Sequence, residues 1–90
     1  MRRIRLTISG RVQGVYFRQE TKNQADALGI KGWVRNLISS GVETTAEGED
    51  NAIDEFIKYC RQGPYGAVVK DVKIEEEKYQ NEFKDFEIKF

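Results

Sequence analysis

Histidine is absent from this 90-residue chain, cysteine and proline occur once each, and no run of apolar residues is long. Each shortage closes off a class of function. Without histidine the chain lacks the commonest general base near neutral pH, the commonest transition-metal ligand and any Ser–His or Cys–His nucleophile pair. The lone Cys60 rules out an internal disulfide and a thiolate metal cage, and no other cluster of metal ligands stands out. No stretch approaches the ~18 apolar residues of a membrane span. The opening Met1-Arg2-Arg3-Ile4-Arg5-Leu6 also lacks the apolar core of a signal peptide. A cytoplasmic, membrane-free protein is expected. An excess of either charge is missing too: fifteen basic residues face fifteen acidic ones, which argues against a broad nucleic-acid surface.

What is present suffices for one compact domain over residues 1–90, with 39% hydrophobic residues and five Phe, four Tyr and one Trp to fill its core. Arg3 to Ser9 alternate, placing Ile4, Leu6 and Ile8 on one face, as in a half-buried strand. Gly10 to Phe17 reads as a loop. Arg18 to Leu28 reads as a helix with Thr21, Ala25 and Leu28 inward and Gly29 as its stop. Lys31 to Ile38 and Val42 to Glu47 form a hairpin around Ser39-Ser40-Gly41. A second helix begins at Glu49-Asp50-Asn51, carries Ala52, Ile53, Phe56, Ile57 and Cys60 inward, and ends at Gly63-Pro64. Ala67 to Glu75 is a fourth strand, and Phe86, Ile88 and Phe90 alternate in a short fifth. The order predicts an α+β, ferredoxin-like βαββαβ sandwich with an additional short C-terminal strand and two helices on one face of a mostly antiparallel sheet. That fold alone assigns no function.

The chemistry concentrates in Gly10-Arg11-Val12-Gln13-Gly14-Val15-Tyr16-Phe17-Arg18. Two glycines between a strand and a helix let successive N–H groups converge, and a helix N-terminus behind them favours an anion. Arg18 adds a planar fork for two phosphate oxygens. The loop is neither a Walker motif nor a dinucleotide fingerprint. On its own it fits a phosphate cradle or a tight turn whose glycines serve packing.

This stretch closely resembles the signature of the acylphosphatase family. Gly32-Trp33-Val34-Arg35-Asn36 is similar to that family's second signature, at the family's spacing. Ala25, Leu28-Gly29, Ala46-Glu47-Gly48, Gly63-Pro64 and Ala67 fit as well, so the resemblance runs through essentially the whole chain. It implies hydrolysis of the carboxyl–phosphate bond of a small acyl phosphate, without a cofactor or metal. It also implies that Arg18 binds the phosphoryl group, Asn36 positions the attacking water, and the backbone of Val12, Gln13, Gly14, Val15 and Tyr16 forms the cradle. A monomer is expected. A carboxylate leaving group needs no strong general acid, which suits a chain without histidine. Arg11 is placed either to draw anions toward the loop or to sit as a solvated rim charge. Arg35 faces away from Asn36 by strand alternation.

In many family members Asp-Gly stands where Ser39-Ser40 stand here, with Gly41 one residue later, so a different turn type is expected. Trp33 and Cys60 read as core residues, and Glu75 to Lys84 as a solvated edge and loop. Two other readings share the fold. An RNA-binding module would want exposed aromatics beside Arg3, Arg5, Thr7 and Ser9 on the first strand, where none occurs. Acylphosphatase-like domains also begin larger maturation proteins that handle carbamoyl phosphate, a role for which a chain of this length is less suited.

Overall fold

A computed structural model describes residues 1–90. The elements are β1 (Arg2–Arg11), α1 (Phe17–Ala27), β2 (Lys31–Asn36), β3 (Val42–Gly48), α2 (Asp50–Gln62), β4 (Val68–Glu77) and β5 (Phe86–Lys89). They form one five-stranded sheet in the order β4-β1-β3-β2-β5. All neighbours are antiparallel except β2 and β5, which run parallel. The predicted ferredoxin-like class is the one observed. Neither helix is long and apolar enough to cross a membrane.

The core follows from the strand alternation. Ile4, Leu6 and Ile8 of β1, Val34 of β2, and Val42 and Ala46 of β3 are buried beneath the helices. Phe17, Thr21 and Ala25 supply the inner stripe of α1, and Ile53, Phe56 and Cys60 that of α2. Phe56 meets Phe86 of β5 edge-on, with centroids 6.0 Å apart. Each such ring contributes roughly 1.5–3 kcal/mol by leaving water. Burial pushes the Cys60 thiol well above its ordinary range, so it stays protonated and acts as a small hydrophobe.

Three expectations shift. Strand β2 stops at Asn36, because Leu37 N–H donates to the Gly41 carbonyl at 2.8 Å and closes the turn, leaving Ile38 fully exposed at its tip. The left-handed residue of that turn is Ser40, at φ 71°. The turn has therefore not moved to suit Gly41. Gly41 is required for another reason: a Cβ there would lie 2.7 Å from the Ile8 carbonyl oxygen. Trp33, read as core, lies on the outward face of the sheet, where Arg35 and Lys89 stack on its ring at 5.3 and 4.8 Å. The inner positions of β2 belong instead to Gly32 and Val34.

The segment read as a solvated edge and loop has no buried residue from Glu75 to Lys84, yet its backbone is anchored. Glu47 is 4% exposed, accepts the N–H groups of Gln80 and Glu82 at 2.9 and 3.0 Å, and pairs with Arg3. Burial alone would raise the Glu47 pKa, but these donors outweigh it and hold the carboxyl below its usual range.

Candidate functional site

Strand β3 pairs with both β1 and β2 in antiparallel register, so β1 and β2 point the same way and end at the same edge. Ile8 and Asn36 are both partners of Val42, which sets Asn36 about 10 Å across the sheet from Ile8, two strand spacings away. The loop that follows β1 therefore passes beside the end of β2. Strand β5 continues the pattern: Ile88 pairs with Val34 and Lys89 with Arg35, so Phe90 follows at the level of Asn36.

The loop is fixed by its side chains and leaves its amides free. Val12 is fully buried and Val15 packs against the core. Gly14 adopts φ 76°, and a Cβ there would meet nothing within 4 Å, so the glycine serves the backbone turn and not a close approach. Tyr16 takes a left-handed conformation, φ 59° and ψ 24°, as the N-cap of α1 without a side-chain capping bond. Such a non-glycine residue costs about 1–2 kcal/mol. No backbone N–H from Val12 to Tyr16 donates to the rest of the protein, and the backbone N–H groups that do donate to side chains are those of Gln80 and Glu82. The first turn of α1 adds further unpaired donors and the positive end of its dipole. Unpaired N–H groups beside a helix N-terminus are the kind of donors that suit an oxyanion.

Val12, Gly14, Tyr16, Arg18 and Asn36 all line one cleft of about 410 Å³ between this loop, α1 and strands β2 and β5. Arg18 stands in the first turn of α1. Its Nη1 lies 3.5 Å from the Lys89 carbonyl oxygen, and its Cζ lies 4.8 Å from the Phe90 ring centroid. The guanidinium is thus steadied by a stacking contact and one long hydrogen bond, with no carboxylate partner to neutralise it. No Asp, Glu, Cys or Lys side chain lines this cleft.

Gln13 and Val15 do not line it. The Gln13 carboxamide instead donates to the carbonyls of Leu37 and Gly41, at 2.8 and 2.9 Å. This clamps the loop after β1 to the turn after Asn36. Sequence reading assigned Gln13 only its backbone, and nothing in its spacing signals the clamp. Ile88 and Phe90 also line the cleft without having been singled out, because only the parallel β2–β5 register brings them there. Arg11 ends β1 and lines a neighbouring groove with Ser40 and Lys70. Arg35 pairs with Glu43 at 2.7 Å on the outward face, as alternation predicts.

A family profile described as acylphosphatase matches residues 4–88. An acylphosphatase of Rubrobacter xylanophilus is 46% identical over 88 residues, covering 98% of this chain and 80% of that protein. The crystal structure of acylphosphatase from Bacillus subtilis superposes with a TM-score of 0.96 at 33% identity, covering all of both chains. An acylphosphatase structure from Coxiella burnetii gives 0.93 at 36% identity, covering 98% of this chain and 92% of that one.

Proposed function

This chain belongs to the acylphosphatase family, enzymes that hydrolyse acyl phosphates, and from that premise we propose how its own residues divide the reaction. The phosphoryl oxygens rest on amides of the Val12 to Tyr16 loop, of which Val12, Gly14 and Tyr16 line the cleft, and the Arg18 guanidinium adds two parallel donors to them. The Asn36 carboxamide orients a water for in-line attack on phosphorus. As the new P–O bond forms, the bond between phosphorus and the carboxyl oxygen breaks. Its electron pair leaves on the carboxylate, and the water's proton passes to a phosphate oxygen. The products are one carboxylate and one inorganic phosphate.

The single observation that carries this reading is the meeting, in one cleft, of Arg18, Asn36 and a loop whose amides donate to nothing else in the protein. Charge developing on the phosphoryl oxygens is met by donors already in place, and such preorganised donors supply the largest share of catalysis in comparable sites. The carboxylate leaving group requires no protonation, so a guanidinium and an amide that do not titrate in the working range suffice. The reaction proposed here requires no metal and takes place in a cytoplasmic monomer.

The test is hydrolysis of benzoyl phosphate in the presence of a chelator. Wild-type protein is expected to turn over, and Arg18→Ala and Asn36→Ala to lose about 10²–10³ in kcat each while remaining folded. Folded wild-type protein that binds inorganic phosphate without turnover would refute the reaction. Full activity in either variant would refute that residue's role. With the substrate's phosphate as the proton acceptor, the acidic limb of kcat is expected to survive Glu20→Gln in the first turn of α1. Loss of that limb would assign the proton to the carboxylate.

A further inference from the structure

Arg18 and the loop amides meet the phosphoryl oxygens and Asn36 meets the water, which leaves the departing carboxylate without a partner. Negative charge builds on that carboxylate as the P–O bond lengthens. A donor aimed at developing charge lowers the barrier, because it gains more in the transition state than in the substrate.

Tyr16 is a residue that the fold does not account for. Its backbone is left-handed, φ 59° and ψ 24°, and it caps α1 without a side-chain bond. Glycine would take that conformation without strain. The tyrosine side chain returns nothing to the fold in exchange. It is 82% exposed, its ring pairs with no other aromatic ring or cation, and its hydroxyl, unlike that of Tyr79, bonds to no other residue. Backbone strain that packing does not explain points to function. Tyr16 lines the cleft with Arg18 and Asn36, and it is the one residue there that carries a hydroxyl. Gln19, the remaining polar side chain of the cleft, donates instead to Asn23 along α1, at 3.0 Å.

We propose that the Tyr16 hydroxyl donates a hydrogen bond to the acyl carbonyl oxygen and is a catalytic residue for departure of the carboxylate. The inference rests on the reading of the cleft as an acyl phosphate site. In the bound substrate the carbonyl oxygen is a neutral acceptor. When the P–O bond breaks, its electron pair arrives on the bridging oxygen and is shared with the carbonyl oxygen across the new carboxylate. The hydrogen bond therefore becomes charge-assisted as the bond breaks. No proton moves along it: the O–H stays on Tyr16, the leaving group departs as the carboxylate, and the water's proton goes to a phosphate oxygen as before. Exposure keeps the gain modest, since water competes for both partners.

The test compares acetyl phosphate with fluoroacetyl phosphate, two substrates of nearly the same size. Fluorine makes the second carboxylate much less basic, and so less dependent on a donor. Rates are read in single turnovers, so that product release does not set them. Tyr16→Phe removes the hydroxyl and keeps the ring. It is expected to slow acetyl phosphate by about three- to tenfold and fluoroacetyl phosphate by clearly less, with inhibition by inorganic phosphate unchanged. Equal losses with both substrates overturn the proposal, and weaker phosphate inhibition beside them would place the hydroxyl on the phosphoryl group. Wild-type rates with both substrates also overturn it and leave the hydrolysis standing. Folded wild-type protein that turns over neither substrate overturns the underlying reaction, and the role of Tyr16 with it.

Discussion

Two segments of this protein solve the same electrostatic problem in opposite ways. In the segment after β4, the N–H groups of Gln80 and Glu82 and the Arg3 guanidinium converge on an oxyanion that the chain supplies itself, the buried carboxylate of Glu47. In the loop after β1, the amides of Val12 to Tyr16 donate to nothing in the chain, and Val12, Gly14 and Tyr16 share a cleft with Arg18, which has no carboxylate partner. The donor types are the same. The first arrangement closes on itself and becomes fold stability; the second leaves its donors unused by the chain, and under the proposed reaction they serve the substrate. A backbone donor cluster with an arginine is therefore a structural staple or a binding site according to whether the fold delivers a carboxylate to it.

The sharpest way to break the comparison is to exchange its readouts. Arg18→Ala should lower kcat by about 10²–10³ while leaving the melting temperature nearly unchanged, because its polar ties to the fold are one long hydrogen bond to Lys89 and a stacking contact with Phe90. Glu47→Gln should do the reverse, costing about 1–3 kcal/mol by leaving one backbone N–H short of an acceptor, while Arg3 keeps Glu77 and Glu82, with kcat retained in the folded fraction. Denaturant melts beside steady-state assays separate the two outcomes. A large activity loss in Glu47→Gln at full stability would erase the distinction.

Acid should sharpen it further. The Glu47 carboxyl sits below its usual range in the folded state, so its stabilisation is fully present above the unfolded value of about 4.3 and is lost as pH falls through the lower, folded value. The stability gap between wild type and Glu47→Gln should therefore be constant above about pH 5 and narrow below pH 4, as followed by melting temperature against pH.

A smaller effect is expected at the clamp. Gln13→Ala removes two hydrogen bonds to the hairpin turn and frees the Asn36 side of the cleft from the Arg18 side. About a tenfold loss in kcat should follow from water misplacement, with inorganic phosphate inhibiting as before. Equal losses in kcat and in phosphate binding would place Gln13 in the cradle itself. The smallest effect belongs to Ser40→Gly, which relieves a left-handed serine and should stabilise the fold by about 0.5–1 kcal/mol without altering turnover. Destabilisation would mean that the Ser40 hydroxyl, bonded to the Ser39 carbonyl, outweighs the backbone strain.

Much of the fold was legible because it is written in short periods. The alternation of Ile4, Leu6 and Ile8 and the stripe of Ile53, Phe56 and Cys60 each report a buried face within a few residues, and all six are buried. Trp33 was misplaced because a large aromatic suggests burial, whereas its neighbours Gly32 and Val34 hold the inner positions of the strand. Glu47 was unreadable for a related reason. Its place in the strand alternation marks a solvent-facing residue, and only the return of residues 80–82 across that face buries it.

The sequence by itself determined the element order, the apolar faces, the glycine-bearing loop ahead of Arg18, and the Gly32-to-Asn36 stretch through which the family resemblance assigned the chemistry. Tertiary structure alone decided which distant residues share a cleft. Strand β3 enters between β1 and β2, so Asn36 arrives beside a loop twenty or more residues earlier in the chain. The parallel pairing of β5 then brings Ile88 and Phe90 to the same place. Local periodicity states which face of a strand is apolar; the neighbour and register of that strand are set by packing the whole sheet against both helices, which no short window of sequence contains.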